Sequence, residues 1–199
     1  MKNNRENSIY FVTTNKGKLA SAQSNLSRFG ITLNYVDHEV TEPNINDIEY
    51  IATYKVKEAY QILKKPCITL DSGFYIPHYP DQANFPGAFP KRELLEKIGI
   101  DGLLEKMKNT TSRECYFKEC VAYYDGKDVK YFYGTISGTL STEIRKGNNP
   151  TEKWSELWYV FIPEGFDKTM AEMTEQERES LKTTETDSLF KFANWFSKQ

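Results

Sequence analysis

Ile9 to Val12 is a short apolar run and predicts a strand. Polar residues and Gly17 follow, and then Leu19, Ala22, Leu26 and Phe29 recur at spacings of three and four, the stripe of an amphipathic helix. Gly30 predicts a left-handed stop to that helix. Ile31 to Val36 reads as a second strand, and Asp37 to Asn46 as a polar loop. Asp47 to Lys64 predicts a helix, with Ile48, Ile51, Ala52, Ala59, Ile62 and Leu63 mostly on one side and Pro66 closing it. Cys67 to Leu70 predicts a buried strand, with a turn at Asp71-Ser72-Gly73. Strand, helix, strand, helix, strand is the pattern of an α/β sheet.

The middle of the chain changes character. Tyr75 to Pro90 is rich in proline and aromatics and predicts an irregular loop or lid. Short helices follow around Lys91 to Ile98 and Gly102 to Met107. Cys115 to Tyr124 and Val129 to Ser137 are β-rich and flank Asp125-Gly126, a hairpin signal. These antiparallel strands extend the sheet or build a second lobe. After a polar loop at Arg145 to Lys153, Leu157 to Ile162 predicts another strand. Thr169-x-x-Glu172 predicts a capping box for a helix to about Leu181. A last helix puts Leu189, Phe192, Ala193 and Phe196 on one face. With no internal repeat and no low-complexity tract, one domain of two lobes with a cleft is the simplest reading.

Composition narrows the function classes. The 199 residues carry a formal net charge of −2, so no broad surface for a nucleic acid polymer is indicated. No run of apolar residues is long enough to span a membrane. Met1 to Asn7 is polar and predicts no signal peptide. Cys67, Cys115 and Cys120 are odd in number and follow no metal-ligand spacing, so they read as reduced core residues of a cytoplasmic protein. With only His38 and His78 present, a histidine metal cluster or a Ser-His-Asp triad is disfavoured. The 13 Tyr and 12 Phe provide bulky core material.

Candidate chemistry gathers at strand ends. Thr13, Thr14, Asn15 and Lys18 occupy a strand-to-helix turn, where amides and the helix dipole favour an anion such as phosphate. The turn matches neither the P-loop nor the dinucleotide glycine pattern, and a solvated lysine-rich helix start is the plain alternative. Asp71, predicted at the end of a buried strand, could serve as a general base or metal ligand, or merely cap its turn. Glu42 in the acidic loop could join it at magnesium, which takes hard oxygen ligands and often only one or two carboxylates. Lys55, Lys91 and Arg92 are cations a phosphorylated ligand would need. The aromatic segment Trp154 to Phe161, with Trp158, either stacks on a base or forms a buried strand.

Taken in order, these motifs resemble the inosine triphosphate pyrophosphatase family, the non-canonical purine nucleoside triphosphate pyrophosphatases. Thr13-Thr14-Asn15-Lys16-Gly17-Lys18 matches the opening T-x-N-x-x-K, and Glu42 and Lys55 match the acidic loop and helix lysine. Leu70-Asp71-Ser72-Gly73 matches an acidic pair with a small-residue turn, and Pro86-Gly87 with Lys91 a later P-G turn. Gly134-x-x-x-Gly138 and Pro163-Glu164-Gly165 through Thr169-Met170-Ala171-Glu172-Met173 complete the set. The resemblance runs from about Ile9 to Phe196. It implies an α/β fold whose long mixed sheet is split between two lobes, with flanking helices and a central nucleotide cleft.

The implied activity is magnesium-dependent hydrolysis of a nucleoside triphosphate to monophosphate and pyrophosphate by a cytoplasmic homodimer. It makes Asp71 the base and a Mg2+ ligand and Glu42 a second ligand. Substrate contacts fall to Thr13, Thr14, Asn15, Lys18, Lys55, Ser72, Lys91, Trp158 and Lys182. The chain also departs from the family. Leu70 stands for the first acid of the pair, Ser155 to Tyr159 for the base-contacting F-G-[WY]-D-P, and Thr183-Thr184-Glu185 for S-H-R. Three alternatives therefore stay open: the same fold retuned to another or modified nucleotide, a nucleotide-binding protein without turnover, and a structural or interaction module, which the colinear motifs disfavour.

Overall fold

The computed structural model describes residues 7–147, 155–183 and 186–199. The N-terminus before Asn7, residues 148–153 of the predicted loop, Trp154 and the Thr184-Glu185 pair lie outside the described residues. The described chain runs β1 (Ser8–Val12), α1 (Lys16–Ser27), β2 (Thr32–Val36), α2 (Ile48–Leu63), β3 (Cys67–Ile76) and β4 (Phe85–Gly87). It continues through a π-helical turn (Pro90–Leu95), α3 (Gly99–Lys106), β5 (Glu114–Tyr124) and β6 (Val129–Leu140). A 3₁₀ turn (Glu156–Tyr159), β7 (Phe161–Pro163), α4 (Glu175–Ser180) and α5 (Ser188–Phe196) complete it. The strands form a seven-stranded mixed sheet in the order β2-β1-β3-β5-β6-β7, with β4 paired to β3. This is the α/β architecture the strand–helix alternation predicts. Among the described residues no helix is long and apolar enough to cross a membrane.

The chain divides into two compact units, one of Met1–Asp71, Glu119–Gly134 and Asp187–Gln199, the other of Ser72–Lys118 and Thr135–Thr186. Strands β3, β5 and β6 each contribute residues to both.

In the first unit β1 pairs in parallel with β2 from Ser8↔Thr32 to Val12↔Val36, and with β3 at Tyr10↔Cys67 and Phe11↔Ile68. Three helices begin on side-chain caps. Asn15 Oδ1 accepts from Gly17 N at 2.9 Å and Lys18 N at 3.0 Å, and Asp47 and Asp187 cap α2 and α5 in the same way. Each cap satisfies amides that the first turn leaves without partners. Gly30 is left-handed as expected, with φ +65°.

Strand alternation sorts the side chains of β3 onto two faces. Ile68 and Leu70 join a core of Ile9, Phe11, Ala22, Leu26, Val121, Tyr123, Leu189, Phe192 and Ala193, under α1 and α5. Cys67 and Thr69 reach the opposite way, toward the Val56 and Ala52 carbonyls of α2. Fully buried side chains such as Phe11, Leu26 and Phe192 each contribute about 1.5–3 kcal/mol through burial.

The second unit has its own core. Phe74, Phe117 and Phe161 meet with centroids 4.7 to 6.0 Å apart, joined by Ile76, Leu94, Leu103, Met107, Leu140 and Val160 among others. Arg113 ties its loops together. Its guanidinium donates to the carbonyls of Leu140 at 2.8 Å, Met107 at 2.7 Å and Ser141 at 2.6 Å.

Several expectations are corrected. Asp71-Ser72-Gly73 is not a turn: β3 runs through it to Ile76. These are poor strand formers, but β4 pairs antiparallel at Phe74↔Gly87, Tyr75↔Pro86 and Ile76↔Phe85. A Cβ on Gly73 would lie 2.7 Å from the Gly87 carbonyl oxygen, so glycine is what permits that approach. Tyr75 to Pro90 is accordingly part strand, not wholly an irregular lid. Leu157 to Ile162 is a 3₁₀ turn capped by Ser155, followed by the short β7, because Ser155 Oγ takes the Leu157 amide at 3.2 Å. Glu172 does accept from Thr169 N at 2.8 Å, yet that pair only closes a turn. The capping box belongs to Thr174 and Glu177, at the head of α4.

Arg113→Met should destabilise the second unit by about 3 kcal/mol, because three carbonyls lose a charged donor at once. Urea unfolding followed through the tyrosine and tryptophan signals checks this.

Candidate active site

The site is a small charge cluster in the first unit. Asp71 lies two residues beyond Thr69, so alternation turns it toward α2, and it is 5% exposed. A carboxylate so deep requires a counter-charge. Lys55, from the middle of α2, supplies it: its Nζ donates to Asp71 Oδ1 at 2.7 Å and to Glu42 Oε1 at 2.7 Å. Lys18, from the first turn of α1, donates to the Leu70 carbonyl at 2.7 Å and stands 3.9 Å from Asp71 Oδ1. The second oxygen of Asp71, Oδ2, is buried and accepts no hydrogen bond.

The two lysines sit in different fields. Burial pulls the Lys18 ammonium below the ordinary lysine range, and the attraction of Asp71 only partly opposes it. Burial pulls on Lys55 too, but the charge and hydrogen bonds of Asp71 and Glu42 outweigh it, so Lys55 is held above its ordinary value. Lys55 is thus a fixed cation. Lys18 is a cation whose burial a phosphate group would relieve.

Among the described residues no group of three or more His, Cys, Asp or Glu side chains could hold a metal. Asp71 and Glu42 nevertheless converge on one cation, the Lys55 ammonium, and the unpartnered Asp71 Oδ2 is a spare hard ligand. Two such carboxylates fit magnesium, which keeps several of its waters. The cysteines do not fit a metal or nucleophile. All three are buried and in no disulfide, and burial pushes the Cys67 thiol up to about 12.

The sequence-predicted residues divide between the units. Thr13, Thr14, Asn15, Lys18, Glu42, Lys55 and Asp71 belong to the first, where Lys18, Lys55, Glu42 and Asp71 are brought together. The turn differs from expectation in one respect: its amides are not open to an anion throughout. Asn15 Oδ1 takes those of Gly17 and Lys18, and Thr13 Oγ1 takes that of Asn15 at 3.1 Å.

Ser72, Lys91, Trp158 and Lys182 belong to the second unit. Ser72 is half-buried in β3. Lys91 is 87% exposed beside Glu96. The Trp158 ring carries the Arg178 guanidinium 5.5 Å from its centroid, and Lys182 pairs with Glu179. One contact that sequence reasoning could not find is the Leu70 carbonyl that anchors Lys18, because a backbone acceptor leaves no mark on residue identity.

The profile of the Ham1 family matches residues 9–186. A dITP/XTP pyrophosphatase of Thermococcus kodakarensis is 30% identical over 191 residues, covering 94% of this chain and 96% of that protein. One of Pyrococcus horikoshii is 32% identical over 178 residues, covering 87% and 88%. The solved Ham1 protein of Staphylococcus aureus superposes with a TM-score of 0.77 at 21% identity, covering 96% of this chain and 98% of that one. The chain belongs to the Ham1 family.

Proposed function

We propose that this chain hydrolyses a nucleoside triphosphate to the nucleoside monophosphate and pyrophosphate. The observation that carries the reading is the convergence of two lysine ammoniums, from α1 and α2, on the single buried carboxylate of Asp71. Family membership and relatives named dITP/XTP pyrophosphatases support it.

Phosphoryl-type transfer needs mainly positioning and electrostatics, and each residue has a part in that. Lys18 and Lys55 pair with phosphate oxygens, while Thr13, Thr14 and Asn15 shape the turn that receives them. Lys55 fixes Asp71 through Oδ1 and so leaves Oδ2 as a base of fixed direction. A water against Oδ2 gives up a proton there as its oxygen bonds to the α-phosphorus. The bond from that phosphorus to the bridging oxygen breaks, and pyrophosphate leaves with the bonding pair. Asp71 and Glu42 would hold magnesium, which when bound neutralises charge on the phosphate oxygens.

Roles for Ser72 and Lys91 at phosphate, and for Trp158 and Lys182 at the base, rest on the resemblance, as does a homodimer. A cytoplasmic setting is supported by three buried cysteines in no disulfide. A second reading, the same chemistry on another base, is favoured by one observation. In the segment where the family contacts the base, Leu157 and Tyr159 are buried in the second unit, so they serve its packing. A panel of ribo- and deoxynucleoside triphosphates with magnesium, scored for pyrophosphate, tests the proposal. No pyrophosphate from any of them would leave a binding protein.

Asp71→Asn should lower turnover by roughly 10²–10⁴, since the amide keeps the shape but cannot take the proton, and should also lower the melting temperature, because Lys55 and Lys18 lose their buried counter-charge. Activity within about threefold of the unsubstituted chain would remove Asp71 from the role of base.

Lys18→Ala should act on substrate binding, raising KM by the equivalent of about 1–3 kcal/mol for a lost charge-assisted contact. Steady-state kinetics on any triphosphate that turns over reads this, and an unchanged KM would show that α1 does not hold phosphate.

The kcat/KM for inosine triphosphate over that for adenosine or cytidine triphosphate should stay below about 100, because Ser155, Trp158, Thr184 and Glu185 replace the family's donors to a 6-oxo edge. A larger ratio would mean that other residues, such as Lys182 or Arg178, read the base.

A further inference from the structure

The Lys18 side chain is 19% exposed, and it contacts one carbonyl, that of Leu70 at 2.7 Å, and one carboxylate oxygen of Asp71 at 3.9 Å. Asp71 is already engaged by Lys55. Two ammoniums therefore share one buried carboxylate, and Glu42, the other acid of the cluster, has a side chain 48% exposed and sits on Lys55.

Further negative charge comes from the neighbouring strand. β5 lies beside β3 in the sheet. On β5, Val121 and Tyr123 pack into the core under α1 and α5, and Glu119, two residues before Val121, points to that same face. It is the face on which β3 presents Leu70. Lys18 and Ser188 occupy the first turns of the two helices that cover this face. The Ser188 hydroxyl, fully buried, donates to Glu119 Oε2 at 3.0 Å and so fixes the carboxylate. The charge of Glu119 attracts the Lys18 ammonium, adding to the larger attraction of Asp71 and opposing the repulsion of Lys55.

Resting on the phosphate-binding reading of Lys18, we infer that Glu119, fixed by Ser188, is a positioning residue whose carboxylate holds the Lys18 ammonium in the site, on the face where Leu70 provides no charge. Glu119 does not touch substrate. It acts through Lys18.

A double-mutant cycle separates this role from a structural one. Glu119→Gln keeps the shape and a Ser188 acceptor while removing the charge. It should lower kcat/KM about tenfold, chiefly through KM, and less than about twofold when added to Lys18→Met, because coupled neighbours are non-additive. Glu119→Asp, which keeps the charge, should stay within about threefold of the unsubstituted chain. An equal loss in both backgrounds, or an unchanged KM, would overturn the inference.

The same cycle is read by urea unfolding, without substrate. The midpoint should fall on Glu119→Gln in the Lys18 chain and stay put in the Lys18→Met chain. If no triphosphate is hydrolysed, the proposed reaction fails while the unfolding cycle still decides the Glu119–Lys18 coupling. A Glu119→Gln chain too unstable to assay should regain folding when Lys18→Met is added, and failure to regain it would count against the inference.

Discussion

The ion cluster around Asp71 is the constraint on which the first unit depends. A carboxylate buried on a central strand is tolerated only with a cation in contact. That requirement fixes α2 against β3 through Lys55, at 2.7 Å from Asp71 Oδ1, and brings the acidic loop in through Glu42. It also limits α1, since Lys18 reaches the Leu70 carbonyl only if the first turn of α1 begins where Asn15 caps it. Packing alone would leave these helices some freedom to slide. The charges remove it.

The same arrangement gives the cluster its chemical character. Lys55 is stabilised as a cation by two acids, whereas burial works against Lys18. An anion brought to the first turn of α1 would relieve that tension. Asp71, held by one oxygen and unpartnered at the other, is oriented without being neutralised by a hydrogen-bond donor at both ends. A carboxylate in that condition is suited to a proton or a hard cation.

Sheet geometry explains how few residues do this. Alternation along β3 sends Cys67, Thr69 and Asp71 toward α2 and Ile68 and Leu70 toward α1 and α5. Charge on one face can thus be balanced from α2, while the other face must draw on α1, α5 or the neighbouring β5. β1 ends at Val12, so β3 passes beyond it before reaching Asp71, and the helix ends have access there.

By itself the sequence determined the strand–helix alternation of the first 70 residues, the last helix, the buried cysteines and the family motifs. These are local facts: the period of apolar positions, the glycine stop at Gly30, and residue types at set spacings. It could not settle Asp71-Ser72-Gly73, whose composition favours a turn. Its place within β3, beside β5 in the sheet, and the backbone approach that Gly73 permits make it strand. Nor could it settle Leu157–Ile162, where a single Ser155 hydroxyl tips an apolar run into a 3₁₀ turn, or choose between Thr169 and Thr174 as the true helix cap. The tertiary structure alone decided that Lys18, Lys55, Glu42 and Asp71 meet, because distances between charges far apart in the chain follow from helix packing and leave no periodic trace in sequence.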